Sequence, residues 1–308
     1  MKNDTILVLG GSGLVGSAII RNLKSKGYTN IVAPRSSQVN LLNTPDVCSY
    51  ISEVQPDMII MAAAKVGGIV ANIKAPADFG YMNGMMALNI INCSYVCKVK
   101  KLLFLGSSCI YPRVCPQPMQ EESLLHGPFE PTNEMYALAK VYGLKLCEAY
   151  NKQYGTNFIS CQPCNIYGEG DHFDPETSHV VGGMITKFHK AKTNNEDSVI
   201  LWGDGSAKRE LLYVDDCADA CVFLLENYNE SQFINVGTGE DITIKELAYA
   251  IKEIVGYNGN IIWDTSKPGG MPRKVLDVSK INNMGWKHHV DLKVGLTKTY
   301  NWFLKTIS

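Results

Sequence analysis

The first 26 residues contain the feature that most restricts the fold, a short apolar run followed by glycines and then by a helical pattern. The run Thr5–Leu9 predicts a strand, and glycines follow it directly at positions 10, 11, 13 and 16. From Leu14 to Lys26, apolar residues recur at helical spacing. A strand that enters a helix through a glycine-rich turn is typical of the first unit of a parallel sheet that binds a dinucleotide.

The alternation of strands and helices continues along the first half of the chain. Apolar and β-branched runs predict further strands at Asn30–Ala33, Met58–Met61, Leu102–Leu105 and Asn157–Gln162. Helices are predicted from Thr44 (as N-cap, with Pro45 in the first helical position) to about Val54, at Pro76–Cys97, at Thr132–Tyr154 and, near the end, at Leu292–Thr306. This order predicts an α/β protein with a Rossmann-type, doubly wound parallel sheet.

The length of 308 residues suggests two domains, at roughly 150 residues per domain. The regular pattern loosens after about Cys164. We therefore expect a nucleotide-binding domain made of residues 1–165 and about 211–239. Residues 166–210 and 240–308 would then form a smaller C-terminal α/β domain that completes the substrate pocket. Ligands of open α/β sheets bind at the carboxyl ends of the strands, so functional residues should gather there.

Composition restricts the partners and the cellular compartment. The 29 basic and 30 acidic residues nearly cancel, so we expect neither nucleic acid nor a membrane as a partner. The apolar run Ile6–Leu9 is too short for a signal peptide, which predicts a cytoplasmic protein with reduced thiols. Among the ten cysteines, Cys161 and Cys164 have no second pair at zinc spacing, and Cys217 and Cys221 resemble small apolar packing residues. We expect neither a metal site nor a structural disulfide.

The glycine-rich segment is the first candidate site. The spacing of Gly10, Gly13 and Gly16 allows a tight turn and a close approach of the backbone to a pyrophosphate, which the free N–H groups of the helix N-terminus would bind. The alternative is an ordinary turn between a strand and a helix. The candidate cofactor residues of this segment are Gly10, Gly11, Ser12, Gly13, Leu14, Val15 and Gly16.

The end of the second predicted strand favours NADP(H) as the cofactor. An acidic residue there would bind the ribose of NAD, whereas an arginine suits the 2′-phosphate of NADP. The sequence offers Arg35 with Ser36 and Ser37 and no acid. The alternative is that Arg35 is only a solvated loop charge.

Tyr136 and Lys140 form the second candidate site. Residues four apart share a helix face, so the lysine could lower the pKa of the phenol and bind a ribose hydroxyl. The phenol could then exchange a proton with a carbonyl group, and Ser107, after the fourth strand, could hydrogen-bond the same carbonyl. Chance alone gives roughly one such Tyr–Lys spacing in this composition, so an exposed helix pair and a turn serine remain the alternatives.

The glycine-rich loop, Ser107, Tyr136 and Lys140, in this order, resemble the extended, nucleotide-sugar branch of the short-chain dehydrogenase/reductase superfamily. Longer segments are similar to the GDP-L-fucose synthase family, the GDP-4-keto-6-deoxy-D-mannose 3,5-epimerase/4-reductases of the NAD-dependent epimerase/dehydratase group. These segments are Ala62–Ile69, Leu105–Pro112, Glu130–Glu134, Cys164–Gly168, Ser178–Val180, Trp202–Gly203, Arg209–Glu210 and Lys267–Pro268. The resemblance covers nearly the whole chain.

The resemblance implies a role for each of the central residues. Cys109 and His179 would remove and return protons at C3 and C5 of a GDP-4-keto sugar, since the C4 ketone acidifies both positions. NADPH would then reduce C4 while Tyr136 protonates the oxygen, with Ser107 polarising it and Lys140 supporting the tyrosine and the ribose. The alternatives are a small buried thiol for Cys109 and a loop histidine for His179.

The resemblance also implies binding residues and a homodimer. The remaining cofactor positions are Arg35, Leu41, Ala63, Lys140, Pro163, Asn165, Ile166 and His179. The positions for the GDP-sugar are Ser108, Lys187, Trp202 and Arg209, with Lys267 and Arg273 as weaker candidates. The alternatives are solvated charges and a core tryptophan. The homodimer would form through the two long helices at Pro76–Cys97 and Thr132–Tyr154.

Three departures from the family stand out. Ser12 stands where bacterial members carry an arginine that contacts the NADP phosphate, which leaves Arg35 as the main argument for NADP. Gly269 stands at a substrate-contacting aspartate, and the loop Glu169–Phe173 near the sugar differs from the usual pattern, so the exact sugar is in question. A GDP-4-keto-heptose, reduced at C4 with little or no epimerisation, is the alternative substrate. A dehydratase would want a carboxylate near Ser107, which the segment 107–109 lacks. A redox-sensing binding protein without catalysis is the third hypothesis.

Overall fold

The computed structural model describes residues 2–174, 178–267 and 271–307, so the predictions that fall on Pro268 and Gly269 lie outside the described residues. In chain order, the strands are β1 (Ile6–Leu9), β2 (Ile31–Val32), β3 (Met58–Met61), β4 (Lys101–Leu105), β5 (Phe158–Pro163), β6 (Asn165–Tyr167), β7 (Ser198–Trp202), β8 (Lys208–Arg209), β9 (Leu211–Tyr213), β10 (Ile234–Val236), β11 (Ile242–Thr243), β12 (Asn260–Asp264) and β13 (Arg273–Lys274). The helices are α1 (Leu14–Ser25), α2 (Thr44–Val54), α3 (Ile69–Lys74), α4 (Pro76–Val96), α5 (Glu134–Tyr154), α6 (Val180–Thr193), α7 (Val214–Asn227), α8 (Ile244–Val255), α9 (Ser279–Asn283) and α10 (Leu292–Ile307).

A parallel sheet of six strands forms the centre of the molecule and confirms the predicted α/β fold. Its order is β10-β5-β4-β3-β1-β2, and every neighbouring pair is parallel. Every residue of β1, β3, β4 and β5 is buried, as expected of parallel strands that helices cover on both faces. Helix α1 packs against α7, and α4 packs against α5.

Three smaller sheets lie in the second half of the chain. Strand β8 pairs with β11 in antiparallel and with β13 in parallel orientation, while β7 pairs with β12 and β6 with β9. The pairing of β13 with β8 sets Lys274 opposite Arg209. This short pairing brings a residue from near the C-terminal end to the edge where the catalytic candidates lie.

Helix α2 begins one residue earlier than predicted, and helix α5 begins two residues later. Helix α2 starts at Thr44, and the N-cap is Asn43, whose side chain accepts a hydrogen bond of 3.0 Å from the Asp46 backbone. Thr44 is therefore not the cap, and its hydroxyl instead donates to Asn89 at 2.7 Å. Helix α5 starts at Glu134, because a separate 3₁₀ turn occupies residues 131–133.

The expectation of no structural disulfide was wrong, since Cys48 of α2 is bonded to Cys93 of α4. Their Cα atoms are 5.0 Å apart because α2 packs on α4. The other eight cysteines of the chain are free, and Cys161, Cys217 and Cys221 are buried beside one another. None of the described helices is long and apolar enough to cross a membrane.

Candidate active site

The turn between β1 and α1 is so tight that a side chain would not fit at Gly10 or Gly16. Gly10 has a φ of +87°, and a Cβ placed there would lie 2.6 Å from the Ala63 nitrogen. A Cβ on Gly16 would lie 2.1 Å from the Gly10 oxygen, which accepts a 3.0 Å hydrogen bond from the Gly13 nitrogen. We call Gly10, Gly13 and Gly16 the glycine cradle.

The glycine cradle fits the pyrophosphate of a dinucleotide. Gly13 is the N-cap of α1 and has no side chain, so it leaves the first-turn N–H groups for a ligand. Ser12 is exposed, Gly11 and Leu14 are partly exposed, and Val15 lies within the first turn of the helix. The excluded Cβ positions and the open helix end are what the predicted cofactor site requires.

The other candidate cofactor residues are spread over neighbouring segments. Arg35 lies exposed just after β2, and its backbone nitrogen donates to the Gln38 side chain at 2.9 Å. Ala63 lies just after β3 and is next to Gly10. Leu41 is half-buried, and its carbonyl accepts a hydrogen bond from the Asn89 side chain. Pro163 ends β5, and Asn165 and Ile166 lie in β6. Since the sheet is parallel, β1, β3 and β5 end at the same edge.

Ser107 is held by a glutamine of the neighbouring strand. Its backbone nitrogen donates to the Gln162 Oε1 at 2.7 Å, and a Cβ on Gly106 would lie 1.8 Å from that oxygen. The Ser107 hydroxyl accepts from the Cys109 nitrogen at 3.2 Å and is hydrogen-bonded to Tyr136. Ser108 is only 2% exposed, so the structure does not present this candidate substrate residue at the surface.

Tyr136 lies in the first turn of α5, and its pKa differs from the prediction. Burial raises the pKa of Tyr136, Cys109 adds to the rise, and the hydrogen bond with Ser107 opposes it. The net shift is opposite to the lowering predicted from Lys140, whose Nζ donates to the Leu105 carbonyl at 2.8 Å and lies 5.7 Å from the Tyr136 ring centre. Burial lowers the pKa of Lys140 to about 8.

Cys109 lies in a 3₁₀ turn with two donors directed at its sulfur. The Asn133 Nδ2 donates at 3.2 Å and the Lys274 Nζ at 3.4 Å. Burial alone would raise the pKa of the thiol, but the charge of Lys274 and the hydrogen bonds from Ser107, Lys274 and Asn133 lower it below its ordinary value. Ser107, Cys109, Tyr136, Lys140 and Lys274 form what we call the thiol–phenol cluster.

His179 is the N-cap residue of α6 and is exposed. The surrounding protein lowers the pKa of the imidazole by desolvation, and the positive charge of Lys274 and the neighbouring His172 act in the same direction. Lys274 therefore acts electrostatically on both groups predicted to exchange protons with the sugar.

The candidate GDP-binding residues lie farther along the second half of the chain. Lys187 donates to the Ile200 carbonyl at 3.3 Å, and its Nζ lies 6.0 Å from the ring centre of Trp202, which is 41% exposed. Arg209 donates to the Met271 carbonyl at 2.6 Å. The remaining two candidates, Lys267 and Arg273, are exposed. Arg273 forms an ion pair with Asp241, and Lys267 lies just after β12.

Sequence reasoning missed three residues that organise this site. Lys274 and Asn133 contact the Cys109 sulfur, and Gln162 holds Ser107. Gly106 was a local signal for Gln162, because a glycine directly before a functional serine indicates that another group approaches closely. Lys274 had no such signal, since its position depends on the pairing of β13 with β8.

Comparison with known proteins gives concordant matches. Residues 6–237 match the NAD-dependent epimerase/dehydratase family. The chain is 51% identical over 306 residues to "Putative GDP-L-fucose synthase 2" of Arabidopsis thaliana, covering 99% of this chain and 93% of that protein. It is 50% identical over 308 residues to the GDP-L-fucose synthase of Sinorhizobium fredii, covering 100% and 98%. The solved structure of a GDP-mannoheptose C4 reductase from Campylobacter jejuni with NADP bound superposes with a TM-score of 0.90 at 34% identity, over 99% of both chains.

Proposed function

The chain belongs to the NAD-dependent epimerase/dehydratase family, and from this premise we propose that it epimerises C3 and C5 of a GDP-4-keto sugar and reduces the C4 ketone with NADPH. The proposed substrate is GDP-4-keto-6-deoxy-D-mannose, in keeping with the relatives named GDP-L-fucose synthase. The observation that carries the proposal is Cys109. Its sulfur receives hydrogen bonds from two side chains and stands next to the hydrogen-bonded Ser107 and Tyr136.

NADP(H) is the proposed cofactor. The glycine cradle would hold its pyrophosphate, and the exposed Arg35 would pair with a 2′-phosphate. When bound, the cofactor supplies the hydride for C4. The cradle residues serve this chemistry only by binding and orientation, because none of their side chains can exchange a proton.

Tyr136 and Ser107 are the proposed groups for the reduction itself. Their hydrogen bond places the two hydroxyls next to each other, so both could contact the C4 oxygen of a bound sugar. Tyr136 would donate its proton to this oxygen as the ketone becomes an alcohol, and Ser107 would stabilise the developing charge. The Tyr136 phenol is protonated at neutral pH, so it holds the proton that the C4 oxygen needs. Lys140 fixes the start of α5 to the end of β4 through the Leu105 carbonyl.

Cys109 and His179 are the proposed groups for epimerisation. Epimerisation next to a ketone needs one group to remove a proton and another to return a proton from the opposite face. The lowered pKa of Cys109 gives it thiolate character, and the lowered pKa of His179 favours the neutral imidazole. A dehydratase would instead use a carboxylate beside the ketone, and residues 107–109 supply none.

The nucleotide end would be held by Lys187, Trp202 and Arg209. Arginine can bind a diphosphate through two parallel hydrogen bonds, lysine supplies a point charge, and an exposed indole ring can stack on a base. In the structure the two cations donate to backbone carbonyls of Ile200 and Met271. Binding of GDP would therefore exchange these partners for phosphate oxygens.

The decisive experiment is NMR of the product made with NADPH in heavy water. We expect deuterium at C3 and C5 when the substrate is GDP-4-keto-6-deoxy-D-mannose. An unlabelled product with normal NADPH oxidation would mean that the protein is only a C4 reductase. Absence of NADPH oxidation, both with this sugar and with the GDP-4-keto-heptose, would reject the proposal.

A C4 reductase acting on a GDP-4-keto-heptose is the second candidate. The similarity to the GDP-mannoheptose C4 reductase over the full chain favours it, as does the departure of the loop Glu169–Phe173 from the usual family pattern. The same experiment with the heptose substrate distinguishes the two, because faster reduction of the heptose without label at C3 and C5 would favour this candidate.

We also propose a cytoplasmic homodimer formed through α4 and α5. Tyr81, Leu88 and Tyr95 recur every seven residues along α4 and are exposed, as are Leu138 and Tyr142 on α5. An exposed apolar surface of this kind is typical of a protein interface. Light scattering should give twice the monomer mass of 34.0 kDa, and a monomeric protein would reject the dimer.

The proposed division into two domains keeps the sequence-based boundaries. It is supported by the central sheet, which takes strands from the first 163 residues and then only β10. Expression of residues 1–165 alone, the part that contains the glycine cradle, would test the division, because a separate domain should fold without the rest of the chain.

A further inference from the structure

A buried lysine contacts the thiol that the proposed function uses as a base. We propose that Lys274 is a positioning residue that holds the Cys109 sulfur in its thiolate form, which makes Cys109 able to remove a proton from the sugar at neutral pH. The inference rests on the proposed function for its purpose, but the state of the sulfur can be measured without any substrate.

The contact has the geometry that a partly buried ion pair needs. The Lys274 Nζ lies 3.4 Å from the Cys109 Sγ, and Lys274 is only 9% exposed. A thiolate at a buried position loses its hydration and is costly unless a cation or hydrogen bonds compensate. Lys274 supplies both the charge and a donor, while Asn133 supplies a second, neutral donor at 3.2 Å.

Other charged groups act on Cys109 from the elements around it, but their donors are engaged elsewhere. Lys140 of α5 and Arg209 of β8 both interact with the Cys109 charge, yet they donate to the Leu105 and Met271 carbonyls. Tyr136 of α5 is uncharged when protonated, and an ionised Cys109 raises its pKa. Lys274 is therefore the cation that contacts the sulfur directly.

A buried carboxyl, Glu210, lies within electrostatic range of Lys274. Burial raises the pKa of Glu210 to about 7, while backbone hydrogen bonds and the charge of Lys274 act in the opposite direction. The Glu210 carboxylate accepts from the Gly239 nitrogen at 2.7 Å and the Leu276 nitrogen at 2.8 Å. These bonds tie Glu210 to the segments that follow β10 and β13. The Glu210 nitrogen also donates to the Lys274 carbonyl at 3.1 Å, so the backbone of Lys274 has a defined place beside β8.

The same charge acts on His179. Lys274 lowers the pKa of this imidazole, so one cation favours the basic form of both proposed proton-exchanging groups. In the step concerned, the Cys109 thiolate takes a proton from the carbon next to C4 and becomes a thiol. The electrons of the C–H bond form an enolate whose charge lies on the C4 oxygen. The His179 imidazolium, formed by uptake of a proton from water, delivers this proton to the opposite face of that carbon and becomes neutral, which restores the ketone with inverted configuration.

The test follows the alkylation of Cys109 by iodoacetamide as a function of pH, with peptide mass spectrometry to separate it from the other thiols. In Lys274→Met we expect the midpoint to rise by about one pH unit, which means roughly tenfold slower alkylation below the midpoint. Lys274→Arg keeps the charge and should stay near the wild type. Lys101→Met removes another lysine of similar burial, which contacts carbonyls at the end of α7, and should leave the midpoint unchanged.

An unchanged midpoint in folded Lys274→Met would overturn the inference, as would an equal shift in Lys101→Met. If the Lys274→Met variant does not fold, the Lys274→Arg variant still tests the inference. A change of one pH unit in its alkylation midpoint would contradict a role for the charge of Lys274. A shifted midpoint together with absent deuterium exchange in the wild type would reject the proposed epimerisation while leaving the role of Lys274 intact.

Discussion

The glycine cradle and the thiol–phenol cluster lie at the same edge of the sheet but are built in different ways. The cradle is contiguous and consists of backbone atoms, with Gly10 and Gly16 at positions where a Cβ would collide. The cluster consists of side chains from three distant parts of the chain, the turn after β4, helix α5 and strand β13. Local sequence therefore specifies the cradle, whereas the tertiary fold specifies the cluster.

This difference predicts different consequences for substitutions. A change in the cradle alters the space for a ligand and should affect binding. A change in the cluster alters the protonation of a reacting group and should affect rates. The predictions below test whether binding and chemistry can be separated in this way.

Tyr136→Phe should have the largest effect, because it removes only the proposed acid and keeps the ring. We expect the kcat for NADPH oxidation to fall by about 10²–10⁴. Deuterium exchange at C3 and C5 should fall less, since Cys109 and Lys274 remain in place. Spectrophotometry and NMR measure the two rates on the same sample.

Tyr249→Phe is the control for this substitution, because Tyr249 is half exposed on α8 and should tolerate the loss of its hydroxyl. Equal losses of reduction and exchange in Tyr136→Phe would contradict the separation of roles within the thiol–phenol cluster.

Gly16→Ala should weaken cofactor binding and leave the cluster intact. The new Cβ would lie 2.1 Å from the Gly10 oxygen, so the cradle must open. Overpacking of about 1–3 kcal/mol corresponds to roughly 5- to 150-fold weaker binding of NADP, measured by calorimetry. The kcat at saturating NADPH and the alkylation midpoint of Cys109 should change little.

Gly13→Ala is a matched control within the same turn. Its Cβ would lie 3.4 Å from the Gly10 oxygen, close to ordinary contact, and its effect on the affinity for NADP should be much smaller. If both alanine variants weaken binding equally, steric exclusion at Gly16 is not what shapes the cradle.

The same contrast explains which features the sequence could predict. The order of strands and helices and the cradle follow from contiguous patterns, and the structure contains them. Two features were missed. The N-cap of α2 is Asn43, one residue before the predicted Thr44. The Cys48–Cys93 disulfide depends on the packing of α2 against α4, which the sequence does not show. The direction of the Tyr136 pKa was wrong because burial, which sequence spacing does not report, outweighs the effect expected from Lys140.

Asp171 lies next to the start of α1, beside the glycine cradle, and provides the smallest expected effect. The preceding Gly170 approaches α1, since a Cβ there would lie 3.7 Å from the Leu14 Cα. The Asp171 carboxyl is buried and accepts from the His172 nitrogen at 2.8 Å through Oδ1, and its Oδ2 has no hydrogen-bond partner among the described residues. Burial therefore raises the pKa of Asp171 from 3.8 to about 7, despite the opposing hydrogen bond from His172.

A carboxyl with a raised pKa destabilises the fold as the pH increases. Above about 4 the unfolded chain gives up this proton more readily than the folded protein, so stability is lost up to a pH of about 7 and then stays level. Asp171→Asn removes the charge, so the Tm at pH 8 should rise by about 4 °C, with little change at pH 4. Asp204→Asn is the control, because this exposed aspartate has a pKa lowered by Ser206 and its loss should not stabilise the protein. Calorimetry at both pH values decides the question. An equal gain at pH 4 and pH 8 would show that packing, not the buried charge, limits stability beside the glycine cradle.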